Sequence, residues 1–82
     1  MKLLVRNLSR STTEVQIRAL FAAYGNVQSC NLVMDAVTGK SKGFGFVEMP
    51  VNKEGINAMK NLNGMELSGL NIRVKRAEEK DD

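Results

Sequence analysis

The chain has 82 residues, with 12 Lys and Arg against 9 Asp and Glu, no His and one Cys, for a net charge of +3. That length holds one small domain and leaves no room for a second of ordinary size. A lone cysteine excludes an internal disulfide, and with no histidine present neither a Cys/His zinc site nor Cys–His catalysis has its residues.

Lys2 to Arg6 is a short apolar run edged with charge and followed by the turn-forming Asn7-Leu8-Ser9, which predicts a first strand. Thr13 and Gln16 have the spacing of a capping box, so a helix should begin there. Ile17, Leu20, Phe21 and Tyr24 continue at helical spacing, and Gly25 is expected to end the helix. Val27 to Met34 predicts a second strand with Cys30 and Leu32 on one side. Asp35 to Ser41, with Thr38-Gly39 inside it, reads as an exposed hairpin connection. Gly43 to Met49 predicts the third strand, ended by Pro50. Asn52 is placed to cap a second helix whose Ala58, Met59 and Leu62 face the core. Gly55 lowers that helix's propensity and is expected to mark a close helix-to-sheet contact. Asn63-Gly64 ends it, and Asn71 to Arg76, alternating around Ile72 and Val74, is the last strand.

The order βαββαβ is an α+β pattern, with a four-stranded antiparallel sheet and both helices on one face. Period-two alternation then sorts the strand residues. Leu3, Val5, Cys30, Leu32, Val47, Met49, Ile72 and Val74 point to the helices. Lys2, Leu4, Arg6, Asn31, Val33, Lys42, Phe44, Phe46, Glu48, Asn71, Arg73 and Lys75 point to the open face.

Charge is distributed unevenly. Residues 1–76 carry eleven basic and five acidic side chains, a net +6, whereas Ala77 to Asp82 carry one Lys and four acids, a net −3. A basic body suits a polyanion, whose counterions are released on binding, although an ordinary solvated surface gives the same number. The start of the chain lacks the apolar run of a signal peptide, and no stretch is long enough to span a bilayer. Asn7-Leu8-Ser9 matches an N-glycosylation pattern and is read as chance. The expected location is cytoplasmic.

The informative stretch is Lys42-Gly43-Phe44-Gly45-Phe46-Val47-Glu48-Met49. On a strand, Lys42, Phe44 and Phe46 share one face and the glycines occupy the other. Turning both phenylalanines into the core would turn Val47 and Met49 outward and bury Lys42 and Glu48, so the phenylalanines are assigned to the open face. Neighbouring outward aromatics among Lys2, Arg6, Lys42, Arg73 and Lys75, with Glu48 opposing, match what a single-strand binder uses: bases stack on rings and cations meet phosphates.

The octapeptide resembles the longer signature of RNA recognition motifs at seven of eight positions. Met49 takes the place of the usual final aromatic, on the core side. Leu3-Leu4-Val5-Arg6-Asn7-Leu8 resembles the shorter signature. Leu20-Phe21-x-x-Tyr24-Gly25, Thr38-Gly39, Leu62-Asn63-Gly64, and Val74 with Ala77 fall where that family has them. The resemblance implies a ferredoxin-like domain over residues 1–77 that binds single-stranded RNA, with single-stranded DNA a related ligand. It implies a base stacked on Phe46, sugars packed against Phe44 and a phosphate at Lys42. The family commonly has an aromatic at the place of Leu4, so modest affinity is expected. Lys2, Leu4, Arg6, Asn31, Lys42, Phe44, Phe46, Arg73 and Lys75 form the expected binding face, with edge contacts from Asn31, Asn71 or the main chain after Arg76. The chain is similar to small stand-alone bacterial members, cyanobacterial ones included.

Residues 78–82 are expected to be a disordered acidic tail. A sharper alternative has the tail competing with RNA for Lys75 and Arg76. The rival function is a protein-interaction module using Leu4, Val33 and both phenylalanines as an apolar dock, and self-association through that patch is a third reading. Gly39-Lys40-Ser41 looks like the end of a P-loop, but Met34 stands where the first glycine is required, and Glu48 stands where Gly43-x-Gly45 would need its third. No catalysis, cofactor, metal or membrane partner is expected.

Overall fold

The computed structural model describes residues 1–77; the acidic segment 78–82, and with it both tail readings, lies outside the described residues. The alternating segments become β1 (Lys2–Arg6), β2 (Ser29–Met34), β3 (Ser41–Glu48) and a last strand at Arg73–Arg76, interleaved with α1 (Glu14–Ala22) and α2 (Asn52–Leu62). A two-residue hairpin, β4 (Glu66–Leu67) with β5 (Leu70–Asn71), precedes that last strand, which is therefore β6. The main sheet has the order β2-β3-β1-β6, and every neighbouring pair is antiparallel.

Burial follows the alternation. Leu3, Val5, Cys30, Val47, Met49, Ile72 and Val74 are buried with Leu8, with Ile17 and Phe21 of α1, and with Ala58 and Leu62 of α2. Leu20, Tyr24, Leu32 and Met59 pack half-buried around them. With one sheet face given to the helices, the opposite face of β2-β3-β1-β6 is left open. Among the described residues no helix is long and apolar enough to cross a membrane.

Local chemistry explains most element ends. Gln16 N–H donates to Thr13 Oγ1 at 3.3 Å and Thr13 N–H donates to Gln16 Oε1 at 2.9 Å, so the capping box is formed. The turn after β2 is closed by Asp35. Its Oδ1 accepts from Val37 N–H at 2.8 Å and Thr38 N–H at 3.1 Å, and its carbonyl accepts from Gly39 N–H at 2.8 Å. Gly39 sits at φ 75°, a conformation that costs a residue with a β-carbon.

Four expectations are corrected. Asn52 is the first residue of α2 and not its cap; Val51 holds the cap position without a side-chain bond, and Glu54 supplies the acidic first turn. Gly25 does not end α1, which stops at Ala22 with Ala23 still right-handed. Gly25 is small because a β-carbon there would overlap the Glu54 side chain, whose Oε1 accepts from Asn26 N–H at 2.9 Å. The close contact marked by Gly55 is with the Met1 side chain beside the edge of β1. The last strand is interrupted at Ile72: Asn71 pairs with Glu66 in the small hairpin, and only Arg73 onward pairs with β1. Strand ends also shift, β2 starting at Ser29 and β3 at Ser41.

Gly45 lies where a β-carbon would come within 2.5 Å of the Asn31 carbonyl oxygen and 3.0 Å of Leu32 Cα, both backbone of β2. Gly45→Ala should therefore destabilise the domain by about 1–3 kcal/mol, the usual cost of overpacking; a urea midpoint equal to wild type would contradict this. Asp35 is half-buried, and its two backbone donors, Thr38 first and Val37 next, hold its carboxyl below the usual 3.8. A depressed folded value means the bonds are kept above pH 3.8 and lost as pH falls through the lower folded midpoint. A carboxyl-carbon NMR titration should place the Asp35 midpoint below 3.8, with Val37 and Thr38 amides shifting at the same pH.

Candidate nucleic-acid interface

The register of the sheet lays out the open face. Asn31 pairs with Phe46, Phe46 with Leu4, and Leu4 with Lys75, so these four form one row across all four strands. Arg6 and Arg73 face each other in the neighbouring row, and Lys2 faces Glu48 on the other side. Phe44 stands one pleat along β3 from Phe46. The two rings meet edge to face, with centroids 6.3 Å apart at 85°, a favoured aromatic geometry. Both rings and Leu4 are half-buried, while Lys2, Arg6, Asn31, Lys42, Arg73 and Lys75 are exposed. The Lys2 ammonium lies 5.0 Å from the Phe46 ring centroid, within cation–π range. Glu48 accepts from the Ser29 hydroxyl at 3.2 Å, toward the β2 edge.

Two backbone features aim these side chains. Gly43 has φ 87°, and between the Leu32–Gly45 and Met34–Ser41 pairings β3 spends two more residues than β2. This bulge at a glycine keeps Lys42 and Phe44 outward while Ser41 and Gly43 are buried. Gly45 lets the β2 backbone lie directly against the inner side of β3. At the end of β1, Asn7 takes φ 60° and its side-chain amide donates to the Asn71 carbonyl at 2.8 Å, fixing the chain beside Arg6.

The nine residues of the expected binding face share the open face of the sheet. Asn71, expected to offer an edge contact, is exposed and donates its amide to the Gly64 carbonyl at 2.9 Å. Arg10 was not expected near the face. It belongs to the loop between β1 and α1, which has no periodicity to place a side chain, and only the fold brings it beside Lys42 and Phe44.

Hollows line this end of the sheet. One of about 340 Å³ lies between Arg6, Asn7 and Arg73, and another of about 340 Å³ lies between Arg6, Arg10, Lys42 and Phe44. A larger hollow of about 580 Å³ opens around the β2 edge by Thr12, Glu14, Leu32 and Met34, with Arg10 and Lys40 also in its lining and neither phenylalanine. Cys30 is a core residue whose thiol is pushed above 9.0 by burial first and by the Glu14 charge second. Such a thiol is a poor nucleophile. Among the described residues no three His, Cys, Asp or Glu gather to hold a metal.

Residues 3–73 match the family model described as RNA recognition motif. The chain is 40% identical over 82 residues to the putative RNA-binding protein RbpB of Nostoc sp., covering all of this chain and 80% of that protein. It spans only 12% to 26% of several longer curated relatives. Among solved structures, RNA binding protein PG1 superposes with a TM-score of 0.93 at 35% identity, covering 100% of this chain and 99% of PG1. The Rna15 domain with bound RNA superposes with a TM-score of 0.85 at 27% identity, covering 99% and 86%. The signature residues, the βαββαβ order and the match over residues 3–73 agree, and the chain belongs to the RNA recognition motif family.

Proposed function

We propose that this domain binds single-stranded RNA across the open face of its sheet, as a binding module that performs no reaction. The observation that carries the reading is the pair Phe44 and Phe46, outward and edge to face, ringed by Lys2, Arg6, Lys42, Arg73 and Lys75. In water such a pair leaves apolar surface exposed; against a base it provides a stacking platform. Phe46 would carry a base, Phe44 the sugars between two nucleotides, and Lys42 a phosphate. Leu4, directly beside Phe46, extends the apolar floor under the neighbouring base without a π-system. Asn31, the cross-strand neighbour of Phe46 on β2, would read a base edge. Membership of the family and the likeness to the Rna15 domain, which was solved with RNA, support this reading.

A base–aromatic stack contributes about 1–3 kcal/mol, so losing the one on Phe46 in Phe44→Ala/Phe46→Ala should weaken RNA binding by about fivefold or more while the protein stays folded. Amide shifts on titration with short mixed-sequence RNA at low salt should concentrate at Arg6, Lys42 to Glu48 and Arg73 to Ala77. An absence of shifts with any RNA pool would sink the reading and point to a protein docked on the same face. Single-stranded DNA of the same sequence separates 2′-hydroxyl recognition from stacking alone. Leu4→Phe should tighten binding by about fivefold, because it restores a ring worth about 1 kcal/mol at the lower end of the stacking range. No gain would place the neighbouring base elsewhere.

A further inference from the structure

The open face carries one group that neither stacking nor phosphate binding accounts for. Among the described strand residues of the main sheet, Glu48 is the one acid on that face. A carboxylate there repels the phosphates of any strand laid across the sheet, so it works against the surrounding cations. It also accepts hydrogen bonds and donates none, so in an RNA it can pair only with ribose hydroxyls and base N–H groups.

Its position favours a base. Glu48 stands two residues along β3 from Phe46, about 7 Å away on the same face. Lys2 faces it from β1 and Ser29 from β2. The residue is held in place: Gln28 N–H donates to the Glu48 carbonyl at 2.7 Å, and the Ser29 hydroxyl donates to Glu48 Oε1 at 3.2 Å. One such bond leaves acceptor sites on both carboxylate oxygens. The Lys2 ammonium, 5.0 Å from the Phe46 centroid, lies over the ring that a base would cover. A base stacked there moves the ammonium off the ring to the base's own edge, beside the Glu48 carboxylate. In the opposite direction along β3 stands the Phe44 ring, its centroid 6.3 Å from that of Phe46. The polar partners for the base along this strand are therefore at the Lys2 end.

The four bases differ in what they offer to an ammonium beside a carboxylate. Guanine presents O6, N1–H and its 2-amino group in a row, one acceptor followed by two adjacent donors. Adenine and cytosine have one exocyclic amino group next to a ring-nitrogen acceptor, and the N3–H of uracil lies between two carbonyls. In each of those three a second carboxylate oxygen meets an acceptor and is repelled. We propose that Glu48 and Lys2 select guanine for the place on Phe46, Glu48 accepting from N1–H and the 2-amino group while Lys2 donates to O6. The inference rests on the sheet binding RNA and adds which base Phe46 takes.

The test uses uridine pentanucleotides whose middle base is guanine, adenine, cytosine or uracil, titrated into the full chain at low salt. Wild type should bind the guanine pentamer at least about fivefold tighter than the other three, the lower end of what one bidentate base contact discriminates. In Glu48→Gln that ratio should fall to within about twofold, and Lys2→Met should lower it as well. Inosine in the middle, which keeps O6 and N1–H but lacks the amino group, should bind wild type more weakly than guanine does. The inference is overturned if wild type shows no guanine preference, as donation from a ribose hydroxyl would give. It is equally overturned if either variant keeps the full preference, or if inosine binds as tightly as guanine. Phe44→Ala/Phe46→Ala with the all-uridine pentamer separates the two claims. Unchanged binding there removes the sheet reading itself. Weakened binding, with Glu48→Gln showing the wild-type ratio, removes the guanine reading alone.

Discussion

The pairing of β1 with β3 decides both sides of the domain at once. Side chains alternate along each strand, so seating Leu3 opposite Val47 in the core sets Leu4 opposite Phe46 on the open face. A slip of one residue would bury Lys2, Lys42 and Glu48 and bring Val47 and Met49 into water, so the register is held by the full cost of burying charge. β6 on one side and β2 on the other extend the same row to Lys75 and Asn31. The open face is therefore the obligatory reverse of the core, and its geometry is as well determined as the packing behind it.

The glycines of β3 are what allow two large rings to stand outward in sequence. Gly45 lets the β2 backbone approach to a distance that a β-carbon would block, and Gly43 supplies the positive φ of a bulge that no β-branched residue would accept. The strand loses two core side chains in exchange. Met49 and Val47 fill the inner face beyond them, and Phe21 of α1 is fully buried in the same core. The platform is accordingly rigid through its backbone, and the edge-to-face contact of the rings restricts their rotamers before any ligand arrives. Preorganisation of this kind lowers the ordering cost of binding.

Much of this was legible in the residues, because the features concerned are periodic or local. The strand faces followed from alternation, the α1 cap from Thr13 and Gln16, and the outward phenylalanines from the contradiction of burying Lys42 beside them. What escaped depends on contacts distant in the chain. Gly25 looked like a helix stop because the Glu54 side chain that crowds it arrives from α2. Asn71 sits in a hairpin of two-residue strands, too short to leave an alternating pattern, and only that hairpin brings its amide to the Gly64 carbonyl. Arg10 lies in a loop, where sequence carries no direction, and reaches Lys42 and Phe44 only once β1 and β3 are paired.

The magnitudes show why the cations matter as much as the rings. One base stack on Phe46, at about 1–3 kcal/mol, falls short of the about 4 that a millimolar complex requires and the about 8 of a micromolar one. With Phe44 against sugars and leucine at position 4, stacking alone would leave this domain weaker than millimolar. Phosphate contacts must provide the remainder, and they are indifferent to base identity and weaken steeply with salt. The layout of the face agrees with that division: the cations lie along its borders, at Lys2, Lys75, Arg73, Arg6 and Lys42, while one exposed amide, Asn31, stands in the row of the stacking floor. On the proposed reading, a domain built this way would grip the backbone of many single strands and discriminate among them mainly at a base between Phe46 and Asn31.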